Sequence, residues 1–165
     1  MQTTDRTSIK TLINIYDWHT KFFRNVLVGI ADKDAQNRLN TKANHIAWIA
    51  GSIVNGRYEL GKFFGVELQQ TSHELFKDNK GIQEGIAYPP LDEFRKDWEK
   101  ISEPVKDALA NASEEKLNGS DPFNMPGGPY TFFDTIVACT DRESYCIGQI
   151  GLWRRLLGYE AMKYE

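Results

Sequence analysis

The chain has 165 residues, of which 41% are hydrophobic and 12% aromatic, so it is long and apolar enough for one domain, residues 1–165, with its own core. Its formal net charge is −3, with acidic and basic residues interspersed, which argues against nucleic acid and membrane surfaces as partners. No apolar run reaches the roughly 20 residues that span a bilayer, and the polar N-terminus is unlike a signal peptide, so we expect a cytoplasmic protein.

The first two predicted helices are marked by apolar residues that recur at three- and four-residue steps. The first runs from about Thr7 to Ala31, where Gly29 should weaken only the last turn. The second runs from about Ala43 to Phe64. Glycines at positions 51, 56 and 61 lower the helix propensity of the second segment, and they predict the close approach of a neighbouring element.

A long polar connection, from Gly65 to Pro90, follows the second helix. Its glycines and its paired prolines predict a loop, with a short turn of helix at about residues 72–77. Connections of this length often have a function of their own. The third helix should begin at Leu91, after the prolines, and Pro104 should bend it.

The fourth predicted helix opens with a capping box, in which Asp134 follows Thr131 by three residues, and it runs to Leu157 with Gly158 in the C-cap position. No segment of comparable length alternates between polar and apolar residues, so strands are not expected. We therefore predict an all-α protein, a four-helix bundle with two short connections and one long crossover loop.

The cysteines and tryptophans give two further expectations. Cys139 and Cys146 are separated by about 10 Å along one helix at 1.5 Å per residue, which is beyond disulfide reach. Two free thiols suit a reducing compartment. The tryptophans fall one per predicted helix and are expected to fill the core, at positions 18, 48, 98 and 153.

Two short blocks carry a family resemblance. They are Asn-His-Ile-Ala-Trp-Ile-Ala-Gly-Ser-Ile, residues 44–53 in the second helix, and residues 145–158 at the end of the fourth. Together they resemble the DinB-like (DinB/YfiT-type) four-helix bundle superfamily. That family includes damage-inducible proteins of unassigned activity and thiol-dependent transferases and isomerases that use bacillithiol or mycothiol. The resemblance implies a DinB-like topology and a homodimer, and it leaves the activity open.

Family members with the full pattern bind a divalent metal through one histidine of helix two and a His-x-x-x-His pair of helix four. The resemblance places Ser52, Arg142 and Cys146 at those positions. Arginine cannot ligate a metal and serine is a poor neutral ligand. We therefore expect that the three-histidine metal site has been lost and that no metal or other cofactor is bound.

The same positions predict a polar pocket between helices two and four. Ser52, Arg142 and Cys146 are its candidate ligand-binding residues, and helical spacing adds possible lining residues at Trp48, Asn55, Glu59 and Gln149. A buried guanidinium needs a partner, which Glu59 or Asp17 could supply. Arg142 either extends into solvent or binds the carboxylate or phosphate of a ligand.

These observations predict a non-catalytic or small-ligand-binding bundle whose pocket accepts a small anionic or thiol-containing molecule, and they assign no catalytic residue. One alternative is a thiol-dependent transferase of the bacillithiol or mycothiol type, either metal-free or with a metal recruited through His45 and Cys146. In that case Arg142 would favour the Cys146 thiolate. The other alternative is a structural or interaction protein. The sequence leaves open whether the protein is an enzyme and which ligand it binds.

Overall fold

The computed structural model describes residues 6–165, with side chains from Thr7 onward, and its regular structure is helical. The α-helices are α1 (Arg6–Leu27), α2 (Asp32–Ala35), α3 (Ile46–Phe63), α4 (Leu91–Ala110), α5 (Glu114–Leu117) and α6 (Phe132–Leu156). Two 3₁₀ turns, His73–Leu75 and Lys77–Asn79, lie between α3 and α4. Within residues 6–165, β structure is limited to one isolated bridge. The prediction of an all-α protein is confirmed.

Local signals explain most of the helix ends. The Thr131–Asp134 capping box is present at the start of α6, as predicted. His45 is the N-cap of α3, because its Nδ1 accepts a hydrogen bond from the Trp48 backbone N–H at 3.1 Å. The predicted end of α1 at Ala31 is wrong. The helix stops at Leu27, because Gly29 adopts a left-handed backbone conformation with φ of +75°.

The prediction of two short connections is also wrong. Residues 28–45 include the one-turn helix α2, and residues 111–131 include the one-turn helix α5, whose N-cap Ser113 accepts a hydrogen bond from the Lys116 backbone N–H. One turn of helix is too short to produce an apolar period, so pattern analysis could not detect either element. Trp18 departs from prediction as well, because its side chain lies on the outer face of α1 and is 58% exposed.

The long helices contact one another in the cyclic order α1, α4, α3, α6. The neighbours α3 and α4 run parallel: Tyr58 Oη donates to the Asp97 carbonyl, and one turn later Gly61 lies against Val105. A chain that leaves the end of α3 must therefore return along the bundle before α4 can start. This geometry explains why the crossover segment, residues 64–90, is long.

The crossover segment is held against the helices by specific contacts. Phe76 is 3% exposed, and its ring lies on α3 at Gly51, where a Cβ would be only 2.1 Å from the ring. Gln70 donates a hydrogen bond to the Gly51 carbonyl, while the backbone and hydroxyl of Thr71 donate to the Asp97 carboxylate. The segment thus forms a fixed wall beside α3. In residues 6–165 we find no helix with the length and apolar character needed to cross a membrane.

Candidate functional site

A pocket of about 550 Å³ opens between α3 and α6, with the crossover segment on a third side. This volume lies within the roughly 300–1,000 Å³ range typical of small-molecule sites. Four polar or amphipathic residues of α3 line it at helical spacing: Trp48, Ser52, Asn55 and Glu59. Aromatic rings supply much of the apolar wall, from Phe63, Phe76 and Phe123. The pocket can therefore accommodate a molecule with both polar and apolar parts.

Arg142 of α6 reaches across to α3 inside this pocket. Its Nη2 donates to Ser52 Oγ at 2.7 Å, and its Nη1 donates to the Ser52 carbonyl at 3.4 Å. A Cβ at Gly56 would lie 3.4 Å from Nη1, so the guanidinium rests over the bare backbone of α3. Two of the residues that the sequence analysis placed together, Ser52 and Arg142, are in contact.

The predicted carboxylate partners of Arg142 are not its partners in the structure. Asp17 pairs with Lys106 at 2.9 Å, and Glu59 pairs with Lys62 at 2.6 Å. Within the described chain, the side-chain groups that accept hydrogen bonds from Arg142 are limited to the neutral hydroxyl of Ser52. The positive charge of this exposed guanidinium is therefore available to a ligand.

Cys146 and Gln149 do not line the pocket. Cys146 is 6% exposed and belongs to the hydrophobic core, and Gln149 is half-buried elsewhere on α6. Four residues of α-helix turn through about 400°, which is about 40° more than a full turn. Cys146 therefore points about 40° away from the direction of Arg142 and lies one turn farther along the helix axis. Cys139, which shares the predicted α6 stripe with Arg142, does line the pocket.

Both thiols are free, as predicted, and both are held in the protonated form. Burial, reinforced by the nearby Glu143 carboxylate, raises the pKa of Cys139 to about 12 despite the opposing effect of Arg142. Burial also raises the pKa of Cys146, and the charge of Arg142 does not overcome it. A nucleophilic or metal-binding cysteine requires a thiolate at neutral pH, so neither environment favours that chemistry.

Two of the buried polar atoms that have no hydrogen-bond partner among residues 6–165 belong to residues that line the pocket. They are the indole Nε1 of Trp48 and the side-chain oxygen Oδ1 of Asn55. Asn55 as a whole is only 8% exposed. Buried polar groups in proteins are nearly always hydrogen-bonded, so this pair is an exception, and both atoms are enclosed by protein rather than open to the cavity.

The lining of the pocket also includes a buried charged pair that was not predicted from the sequence. Arg57 of α3 is 1% exposed, and it donates to both carboxylate oxygens of Glu143 in α6, at 2.5 and 2.9 Å. The guanidinium carbon lies 3.7 Å from the ring centre of Tyr16 and 3.5 Å from that of Trp98. His19 Nδ1 is 3.3 Å from the same carboxylate. We refer to Arg57, Glu143 and their partners as the core network.

Every N–H of the Arg57 guanidinium has an acceptor. Besides Glu143, its acceptors are the hydroxyls of Thr20 and Ser102, both at 2.7 Å, and the Tyr16 carbonyl at 3.4 Å. Burial, the largest single influence, favours the neutral carboxyl of Glu143, but the charge and hydrogen bonds of Arg57 together with those of His19 outweigh burial and lower the pKa of Glu143 overall. The core network therefore joins α1, α3, α4 and α6, and no donor of its arginine is left for a ligand.

A signal for this pair was present in the sequence. Arg57 lies four residues after Ile53 on the apolar stripe of α3, and Glu143 lies four residues before Ile147 on that of α6. When one helix carries a single charged residue at a predicted core position, the simplest explanation is that the buried face of that helix was predicted incorrectly. Opposite charges at core positions of two helices indicate a buried ion pair.

The residues present do not fit a metal centre like that of the family the sequence resembles. Within residues 6–165, no group of three or more histidine, cysteine, aspartate or glutamate side chains is placed to hold a metal ion. At the positions that the resemblance assigns to the metal, Arg142 is a cation bonded to Ser52, and Cys146 is a protonated thiol outside the pocket.

No protein-family model matches the sequence, and no curated protein matches it.

Proposed function

We propose that this protein binds a small anionic molecule in the pocket between α3 and α6, with Arg142 as the group that recognises the negative charge. The observation that carries the proposal is that, among the residues that the structure describes, Arg142 bonds only to the neutral Ser52. A guanidinium presents a planar fork of donors that suits carboxylate and phosphate groups. The aromatic lining indicates that the anion also carries an apolar part.

The fold supports a DinB-like bundle as the scaffold of this pocket, and we propose that topology. His19 of α1 contacts Glu143 of α6, and farther along both helices Val26 contacts Arg154. The two helices therefore run in the same direction, so α1 and α6 are parallel neighbours like α3 and α4. The long crossover then joins the two members of one parallel pair, α3 and α4, which is the arrangement that one crossover loop requires. The two free thiols are consistent with a cytoplasmic location.

The test is a titration with 3-phenylpropionate, which joins a carboxylate to an aromatic ring, measured by calorimetry. We expect saturable binding by the wild-type protein and at least tenfold weaker binding by Arg142→Gln, because a hydrogen bond to a charged group contributes about 1.5–3 kcal/mol. The neutral amide of the same acid should bind as weakly to the wild type as the acid binds to the variant.

Arg24→Gln is the matched control, because it removes an exposed arginine of α1 that does not line the pocket. We expect this variant to bind 3-phenylpropionate like the wild type. Equal affinity of the wild type and Arg142→Gln, or of the acid and its amide, would overturn the proposal.

We further propose that the protein is a homodimer formed through the outer face of α6. This face carries exposed apolar side chains: Tyr145 is 70% exposed and Leu152 is 60% exposed. A two-fold axis near Gly148 would place Asp141 of one copy opposite Arg155 of the second, because these charges are equally far from that glycine in sequence.

Light scattering should give twice the chain mass for the wild type. Leu152→Glu should give the monomer mass, and a monomeric wild type would refute the dimer.

A further inference from the structure

The aromatic rings of the pocket differ in how much of their surface is still open. Phe63 is 37% exposed and Phe123 is 38% exposed, and the two rings meet edge to face with their centroids 4.9 Å apart. We refer to these two rings as the aromatic pair. Phe76, by contrast, is 3% exposed, because its ring packs against Gly51 and Tyr88. An apolar group in the pocket therefore gains most by covering the aromatic pair.

The aromatic pair lies at one end of the bundle, because the two helices that flank the pocket are antiparallel. Arg57 of α3 binds Glu143 of α6, whereas Phe64, at the end of α3, packs against Phe132 at the start of α6 with ring centroids 4.9 Å apart. The end of α3 and the start of α6 are therefore at the same end of the bundle. Phe123, in the segment that leads into α6, is also at this end.

Arg142 and the aromatic pair are separated along the axis of α3. The guanidinium of Arg142 rests over the backbone of α3 at Gly56. Phe63 follows Gly56 by seven residues, which corresponds to about 10 Å along the helix axis. Leu60 of α3 and the protonated thiol of Cys139 of α6 line the pocket at intermediate positions. An apolar strip therefore connects the cation to the aromatic pair.

The other charged groups of the pocket balance one another. The arginine and the glutamate of the core network neutralise each other. Glu59, which lies beside the apolar strip, is paired with Lys62 at 2.6 Å. The crossover segment contributes one charge of each sign, Asp78 and Lys80. With Lys62 counted beside Glu59, the charge that is left over is that of Arg142, so the pocket suits a ligand with one negative charge.

We infer that the ligand is a carboxylate with an extended alkyl chain of about eight carbons, which is a medium-chain fatty acid. Its carboxylate binds Arg142, its chain follows the strip past Leu60 and Cys139, and its end contacts the aromatic pair. A carbon–carbon bond of about 1.52 Å advances an extended chain by about 1.25 Å, so about eight bonds cover the separation of about 10 Å. The inference rests on the proposed function, because it assumes the anion site at Arg142.

The experiment is a calorimetric titration with butanoate, hexanoate and octanoate, which share one head group and differ in chain length. We expect octanoate to bind about tenfold more tightly than butanoate or better, because its four added methylene groups leave water for apolar surface. Octan-1-ol, which has the chain but no charge, should bind more weakly than octanoate. Binding of the alcohol as tight as that of octanoate would overturn the role of the carboxylate.

Two variants locate the alkyl chain. Phe123→Ala removes one ring of the aromatic pair, so it should reduce the affinity ratio of octanoate to butanoate to about threefold or less, while butanoate binding is retained. Tyr130→Ala is the matched control, because it removes a 40% exposed ring from the same connection outside the pocket lining and should keep the wild-type ratio. Since the ratio is measured within each variant, a loss of folded protein does not change it.

The outcomes separate the two proposals. Equal affinities along the series, with all of them reduced by Arg142→Gln, would overturn the fatty-acid inference and leave the anion site in place. An unchanged ratio in Phe123→Ala would overturn the position assigned to the alkyl chain. Affinities that rise with chain length but are the same in Arg142→Gln and the wild type would overturn the proposed function itself.

Discussion

Two arginines of this protein line the same pocket and have opposite surroundings. Arg57 is 1% exposed, lies between two aromatic rings and has an acceptor for each of its N–H groups. Arg142 is exposed and is bonded to one serine. The comparison teaches that the number of unsatisfied donors, more than proximity to a cavity, distinguishes an arginine that holds the fold from one that can bind a ligand.

The largest expected effect comes from breaking the buried pair. Arg57→Met leaves the Glu143 carboxylate buried without its cation, so we expect the free energy of unfolding to fall by about 3–5 kcal/mol in urea denaturation. The double variant Arg57→Met/Glu143→Leu should recover most of this loss, because it buries no charge. A single variant as stable as the wild type would mean that the core network is not what holds the four helices together.

The same pair predicts a dependence of stability on pH. Although burial acts in the opposite direction, Arg57 lowers the folded pKa of Glu143 below its ordinary value of 4.5. The stabilisation is therefore complete above pH 4.5 and is lost as the pH falls through the lower folded pKa. The free energy of unfolding, measured from pH 6 to pH 2, should fall less steeply with decreasing pH in Glu143→Gln than in the wild type. Glu99→Gln, which changes an exposed glutamate of α4, should keep the wild-type slope.

Arg142 should behave in the opposite way to Arg57. Because its side chain is exposed and its partner is neutral, Arg142→Gln should change the free energy of unfolding by no more than about 0.5 kcal/mol. Urea denaturation of Arg142→Gln and Arg57→Met under the same conditions measures the contrast directly. A cost above about 2 kcal/mol for Arg142→Gln would show that both arginines are structural.

The smallest expected effect is on Cys139, which lines the same pocket as the two arginines. Its thiol should react with iodoacetamide at pH 7.5 more slowly than N-acetylcysteine, since burial raises its pKa to about 12. Arg142→Gln should slow the reaction further by removing a charge that lowers this pKa. Mass spectrometry in a Cys146→Ser background measures both rates. A rate above that of N-acetylcysteine would revive the thiol-dependent transferase.

The sequence predicted the long helices well, because apolar periods and caps are local signals. Leu91 as the start of α4 and Thr131 as the N-cap of α6 are both confirmed. Helical spacing also put Ser52 and Arg142 on facing surfaces. It could not show that Cys146 turns into the core, because the register between two helices depends on contacts far apart in the sequence. For the same reason Arg57 was not matched with Glu143, although both stand on apolar stripes.

The pocket has two walls, the helices and the crossover segment, which meet where Phe76 contacts Gly51. These two walls can change independently. The core network forms part of the helical side of the pocket, and substitutions of Arg57 or Glu143 would destabilise the bundle. The crossover wall contacts α3 at Gly51, which has no Cβ atom. Substitutions in this wall can therefore change the shape of the pocket while the helices that fold the protein stay intact. In this architecture, the shape of the pocket and the stability of the bundle depend on different residues.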